Sequence, residues 1–176
     1  MTGSYSNHPE NYLKVITPLI DTARNFLEKG EALEPIAFVG NFASGKTMLI
    51  LLNNDSDAEK DRSAMAIRMA AEILEADFVF LIMEVWSLPP DKISRMDAIL
   101  EKYGSISASP YRVDSVSLCL ETRYGVWVAE CPTLPKGISK KKRTIASPRF
   151  KHFTEVEGRF SHFLKGDDEA SGATLH

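Results

Sequence analysis

Residues 36–52 read IAFVGNFASGKTMLILL and contain two apolar runs on either side of a short polar segment. The runs 36–39 and 47–52 each have the length of a buried strand. Ser44-Gly45 between them is a turn dipeptide. The stretch therefore predicts a β-hairpin whose second strand stops at a polar cluster beginning with Asn53.

The same stretch carries Gly40, Gly45, Lys46 and Thr47 at the spacing G-x-x-x-x-G-K-[ST], and it resembles the phosphate loop of P-loop nucleoside triphosphatases. The resemblance implies a nucleotide-binding phosphotransferase or ATPase in which Lys46 contacts the terminal phosphates and Thr47 holds Mg²⁺. A phosphate loop also needs a helix that starts at its lysine, whereas an uninterrupted apolar run follows Lys46. We therefore favour the hairpin and keep nucleotide binding as the alternative.

The chain after the hairpin predicts a β-α-β unit. Ser56-Asp57-Ala58-Glu59 is a capping-box pattern, which predicts a helix over residues 57–75. The predicted buried face of this helix carries Ala66, Met69, Ala70, Ile73 and Leu74. Residues 78–86 form the most apolar run and predict a central strand covered on both faces. Strand 47–52, the helix and strand 78–86 then form a right-handed crossover that places the two strands parallel.

The outer segments add helices and hairpins. Residues 9–29 predict a helix that Pro18 should kink or split, and the apolar spacing from Ile93 to Tyr103 predicts a short helix that ends at Gly104. Alternating apolar residues over 114–130 predict a second hairpin. Apolar spacing over 150–164 permits a helix, but Glu157-Gly158 favours a third hairpin. We expect an α/β (α+β) fold, with a mixed β-sheet that contains β-hairpins and one β-α-β crossover, flanked by about three helices.

The composition indicates an ordinary globular protein. The chain has 176 residues, 44% hydrophobic residues, 26% charged residues and a formal net charge of −3. These values exclude a general electrostatic attraction to nucleic acid or to acidic membranes. Two cysteines do not make a disulfide framework. We expect a cytoplasmic protein with one domain over residues 9–165 and flexible tails at 1–8 and 166–176.

Part of the chain is similar to a loose set of small bacterial proteins of unknown function. The shared features are the hairpin, the acid-capped helix and a strand that ends in Glu-x-Trp, here Glu84-Val85-Trp86. The similarity covers roughly residues 35–87. It implies an α/β sandwich-like fold and no particular activity.

A candidate polar cluster lies at the carboxyl ends of the two parallel strands that the crossover predicts. Asn53 and Asp55 follow the first strand, and Glu84 and Trp86 end the second. Ligands of open α/β sheets often bind at such ends. The carboxylates could bind a cation or act as acid and base. Alternatively, Asp55 or Ser56 caps the helix and Glu84 pairs with a surface arginine.

A second candidate site is the basic loop of residues 136–151, which contains the run Lys140, Lys141, Lys142 and Arg143. Such a run can bind nucleic acid or phosphate, but it is also common in solvated loops. The four histidines do not form a metal-ligand set, and no nucleophile with a neighbouring base is identifiable. We expect no metal and no cofactor.

These observations predict a non-catalytic binding or assembly module of unknown ligand. Candidate hairpins at the margins of the sheet leave strand edges that natural proteins cover, charge or pair with another copy. A homodimer is therefore the expected partner arrangement, and no membrane partner is expected. Nucleotide-dependent catalysis and nucleic-acid binding through the basic loop are the alternatives.

Overall fold

The computed structural model describes residues 10–154 and 160–164, and there it contains three α-helices and one β-sheet. The helices are α1 (Glu10–Glu28), α2 (Asp57–Leu74) and α3 (Met96–Tyr103), the last preceded by a 3₁₀ segment (Pro90–Arg95). The strands are β1 (Ile36–Gly40), β2 (Thr47–Leu51), β3 (Phe78–Ser87), β4 (Val113–Thr122), β5 (Gly125–Pro135), β6 (Arg143–Ile145) and β7 (Lys151–Phe153). None of the helices in these ranges is long and apolar enough to cross a membrane.

The sheet has the strand order β2-β1-β3-β4-β5-β6, and β7 also pairs with β5. This confirms the α/β (α+β) class, the first two hairpins and the flanking helices. α2 does connect β2 to β3, and these strands run in the same direction, but β1 lies between them. β1 can take this position because its hairpin with β2 uses one edge and leaves the other free for β3. All strand neighbours in the described chain are therefore antiparallel, and the sheet is not mixed.

The central strand β3 is covered on both faces, as its uniformly apolar sequence predicts. Phe78, Phe80 and Ile82 pack against α1, while Val79 and Leu81 pack against α2. This alternation defines an α1 face and an α2 face of the sheet, because successive strand residues point to opposite sides. The two hydrophobic clusters lie on opposite faces of the sheet.

α1 is one continuous helix, so the predicted split at Pro18 does not occur. Its buried residues are Ile16, Ile20, Ala23 and Leu27. They lie on both sides of the proline and belong to the same hydrophobic cluster. This shared packing holds the two halves of α1 together although the proline removes a backbone donor.

α2 begins as predicted but buries a different face. Ser56 caps the helix by accepting the Glu59 N–H at 3.2 Å. The buried residues are Ser63, Ala64, Ile67, Ala70 and Ala71, whereas three members of the predicted face are exposed, namely Ala66, Met69 and Ile73. Ala70 is buried as predicted, but the prediction also included the bulky Met69 and Ile73, whereas the observed face is made mainly of small residues, which let a helix pack closely on a sheet.

The segment 150–164 differs from both of its predicted forms. β7 pairs with β5, and residues 160–164 contain neither strand nor helix. The edge of β5 was free to accept β7, and the rings of Trp127 and His152 lie 4.5 Å apart across this pair. The predicted turn at Glu157-Gly158 and the predicted tails at 1–8 and 166–176 lie outside the described residues.

Candidate functional site

The residues of the phosphate-loop pattern form the turn of the β1–β2 hairpin. The Asn41 N–H donates to the Lys46 carbonyl at 2.9 Å, and the Phe42 N–H donates to the Asp77 carboxylate at 2.6 Å. Gly45 has φ +68° and supplies the left-handed conformation that the turn requires. The strand β2, and not a helix, follows Lys46. The hairpin prediction is confirmed, and four of the loop N–H groups are already bonded within the protein.

The predicted polar cluster is divided between the two faces of the sheet. Asn53 and Asp55 lie in the loop that leads into α2: the Asn53 N–H donates to Ser63 Oγ at 2.9 Å, and the Asp55 N–H donates to Asn53 Oδ1 at 2.9 Å. Glu84 and Trp86 lie on the α1 face of β3, in phase with the residues that pack against α1. The carboxyl ends of β2 and β3 do lie at the same end of the sheet, but the polar residues that follow β2 lead into α2, whereas the side chains of Glu84 and Trp86 lie on the α1 face.

Glu84 and Trp86 line a cleft of about 390 Å³ together with Arg112, Asp114 and Arg143. Arg143 of β6 reaches across the sheet to Glu84, with Nη2 2.7 Å from Oε1. The indole of Trp86 is 56% exposed. Sequence analysis singled out three of these five residues, but only the ladder between β3 and β4 brings Arg112 and Asp114 beside them.

The basic run 140–143 spans the end of the β5–β6 connection and the first residue of β6. The connection folds against the end of α1, where Lys136 Nζ lies 2.7 Å from Glu28 Oε2. This hydrogen bond, together with one from Thr144, lowers the pKa of the Glu28 carboxyl. Two cations of the predicted basic loop, Lys136 and Arg143, are therefore paired with carboxylates of the same chain.

Glu121 is a buried carboxylate that sequence analysis did not single out. Its oxygens accept the Phe163 N–H at 2.9 and 3.2 Å and the Leu164 N–H at 3.0 Å. Burial raises the pKa of Glu121, although these N–H groups oppose the shift. Burial likewise raises the pKa of the Cys119 thiol to about 12, which keeps it protonated at neutral pH. We interpret Glu121 as a structural group that holds residues 160–164 against the α2 face.

The described part of the chain contains no group of three His, Cys, Asp or Glu side chains that could hold a metal ion.

The strand β2 forms one edge of the sheet, and no described strand lies beyond it. The Leu52 N–H donates to the Pro35 carbonyl at 2.9 Å, which sets the phase of the β1–β2 ladder. Because bonded pairs alternate along an antiparallel ladder, the even-numbered residues of β2 bond to β1. The N–H and C=O groups of Thr47, Leu49 and Leu51 therefore point outward. We call this outward side of residues 47–51 the open edge.

The open edge carries no charged side chain and is bordered by exposed apolar groups. Leu49 is 53% exposed and Leu51 is 67% exposed. Three further apolar side chains on α2 are also exposed; we call them the α2 flank, and they are Met65, Met69 and Ile73. Their spacing of four residues places them along one side of the helix. Scattered exposed apolar groups are ordinary, but a grouped set marks an interaction surface.

The α2 flank points away from the sheet. Met69, at the centre of this flank, lies about 160° around the helix from the buried Ile67. The buried side of α2 packs on both β1 and β2. Leu49 and Leu51 point to the opposite, α1 face of the sheet, where Leu49 pairs with Phe38. The exposed leucines of β2 and the α2 flank are therefore two separate apolar patches.

The opposite edge of the sheet is protected. It is formed by β6 and β7, which both pair with β5. These edge strands have three residues each, and each contains a basic residue, Arg143 in β6 and Lys151 in β7; short length and basic side chains both hinder the addition of a further strand. β2 has neither proline nor charge. The two edges thus differ in the devices by which proteins prevent strand addition.

No protein-family model, curated protein or solved structure matches this chain. The similarity of residues 35–87 to small bacterial proteins therefore stays a prediction.

Proposed function

We propose that this protein is an assembly module that forms a homodimer by pairing β2 with β2 of a second copy. The observation that supports the proposal is the open edge: an uncharged, partly apolar strand with outward backbone groups and no covering element in the described residues. Edge strands of this kind are templates for further strands unless proteins block them. Closed two-fold dimers are also the commonest soluble oligomers.

The hydrogen-bonding phase of β2 suits an antiparallel two-fold pair. If Leu49 faces the partner subunit's Leu49, the outward residues at both ends also face each other, and Thr47 meets the partner's Leu51. Each of these is a hydrogen-bonded pair in which both residues donate and accept. All outward N–H and C=O groups of β2 are then satisfied at once. No other register centred on this strand uses all of them.

The side chains are equally suited to a two-fold axis, where identical groups meet. Leu49 would pack against its own copy on the α1 face, and Met48 would pack against the partner's Ile50 on the α2 face. No charge on β2 opposes this contact. Because α2 lies over β1 and β2, the same axis places both copies of α2 on one face of the joined sheet.

The test combines sedimentation equilibrium with residue-resolved hydrogen exchange on the full chain. We expect a dimer mass that falls on dilution, and slower exchange of the Leu49 and Leu51 amides as the dimer forms. Met48 and Ile50 are internal controls, because their amides already bond to β1 and should not change. A monomer at every concentration, or a dimer without protection at Leu49, would contradict the proposal.

A strand from a different protein is the competing occupant of the open edge. It would leave the purified chain monomeric, so the mass measurement separates it from self-pairing.

A further inference from the structure

The cleft between β3, β4 and β6 is a second surface, and pairing at β2 would leave it accessible. Its volume of about 390 Å³ falls in the range of about 300–1,000 Å³ that is usual for small-molecule sites. Its charged and aromatic lining residues are Glu84, Trp86, Arg112, Asp114 and Arg143. A cleft of this size has room for a small molecule.

Trp86 and Asp114 form one side of the cleft. They are direct cross-strand partners in the β3–β4 ladder, which places their Cβ atoms about 5 Å apart. The exposed face of an indole attracts cations, and a neighbouring carboxylate has the same preference. The Asp114 carboxylate forms no ion pair within the described residues. This side of the cleft therefore favours an organic ammonium group.

The two arginines of the cleft differ in how many hydrogen-bond donors they have free for a ligand. Arg143 is bonded to Glu84 at 2.7 Å, so these two charges offset each other. Arg112 donates from Nη1 to the Ser107 carbonyl at 3.2 Å and keeps further N–H donors of its guanidinium. It stands two residues before Asp114, about 7 Å along the strand direction. Arg112 therefore provides an anion-binding group close to the ammonium-binding side.

We infer that this cleft binds a small zwitterion whose ammonium group contacts Trp86 and Asp114 and whose carboxylate contacts Arg112. The charges of the lining residues balance, so a ligand without net charge matches the cleft better than a simple anion or cation. The spacing of the two binding groups requires that the charges of the ligand are several bonds apart. ω-Amino acids and dipeptides both have this chemistry.

The experiment is an amide-resolved NMR titration of the full chain at constant ionic strength with four separate probes. γ-Aminobutyrate and glycylglycine carry both charges, whereas butylamine and butyrate carry one each. We expect saturable shifts of the amides of residues 84–86 and 112–115 with the zwitterions, and binding about tenfold weaker or worse with the single-charge probes. The relative affinity of the two zwitterions distinguishes an amino acid from a peptide ligand.

Asp114→Asn and Arg112→Gln should each raise the Kd of the tighter zwitterion about tenfold or more, because each removes a charge-assisted hydrogen bond. Glu101→Gln is the matched control, since Glu101 is an exposed carboxylate on α3 outside the cleft. The inference is wrong if the zwitterions cause no shifts, if the single-charge probes bind equally well, or if Asp114→Asn binds like the wild type. These outcomes do not depend on the dimer, because β2 contributes no lining residue.

Discussion

Replacing Leu49 with lysine is the most direct perturbation of the proposed dimer. Leu49 lies at the centre of β2, and in the proposed register it faces the partner's Leu49 on the two-fold axis. Lysine on an edge strand is a device by which natural proteins prevent strand pairing. In the protomer, Leu49 is 53% exposed and its neighbour across the ladder is Phe38. The substitution should therefore act on association far more than on folding.

The size of the effect follows from the exposed fraction. Full burial of a leucine contributes about 1.5–3 kcal/mol, so burial of the exposed 53% contributes about 0.8–1.6 kcal/mol per copy. The two-fold axis doubles this loss to about 2–3 kcal/mol, and two facing ammonium groups add about 1 kcal/mol in water. The Kd of the dimer should rise by roughly two to three orders of magnitude. The unfolding free energy of the isolated protomer should change by less than about 1 kcal/mol.

Sedimentation equilibrium on both proteins measures the Kd, and denaturation at low protein concentration measures protomer stability. Ile93→Lys is the matched control, because Ile93 is 54% exposed and lies in the 3₁₀ segment rather than on β2. The control should retain the wild-type Kd. The reasoning is refuted if Leu49→Lys associates as tightly as the control, or if both variants lose association equally.

Three further substitutions test the surrounding structure. Gly40→Ala should destabilise the fold by about 2 kcal/mol or more in chemical denaturation, because a Cβ there would lie 2.4 Å from the Phe78 ring. Adding Phe78→Leu to the same chain should recover part of this loss. A double variant no more stable than Gly40→Ala alone would count against this contact. Glu121→Ala should cost about 1–3 kcal/mol by leaving buried N–H groups unbonded. The raised pKa of Glu121 implies a contribution to the free energy of unfolding that is present below pH 4.5 and is lost as the pH rises through the folded-state pKa. Glu121→Gln should therefore flatten this part of the stability–pH profile. An unchanged profile would refute the raised pKa of Glu121. Lys46→Ala should leave the Tm nearly unchanged, and Mg-ATP or Mg-GTP should not shift the Tm of either protein, because the loop amides are already bonded within the protein. A nucleotide shift that the substitution abolishes would reverse this conclusion.

The sequence was sufficient where short-range signals determine the structure. Ser44-Gly45 correctly predicted the turn of the first hairpin, and the capping box correctly predicted that α2 begins at Asp57. It was insufficient where the outcome depends on distant partners. Nothing in residues 36–52 shows that β3 would pair with the free side of β1. The phase of α2 was also mispredicted, because side-chain size alone does not show how closely a helix approaches a sheet.

The candidate sites show the same difference between short-range signals, which the sequence contains, and long-range strand pairing, which it does not. The sequence identified Glu84, Trp86 and Arg143 as residues of interest, but it placed the first two with Asn53 and Asp55. The antiparallel ladder instead places Trp86 opposite Asp114, a residue with no distinguishing local pattern. Strand register is a long-range property, so the cross-strand neighbours of a residue cannot be derived from its own segment.

The mismatch between the sequence of β2 and its position is itself an argument for association. Residues 47–52 have the composition of a strand that is buried on both faces, yet Leu49 and Leu51 are largely exposed in the protomer. Their neighbour β1 sits deeper in the same sheet and is well covered, so the apolar sequence of β2 is not needed to complete that packing. An edge strand that served only as an edge would gain solubility from a single lysine at position 49. A second copy at the open edge would give these leucines the buried environment that their sequence indicates.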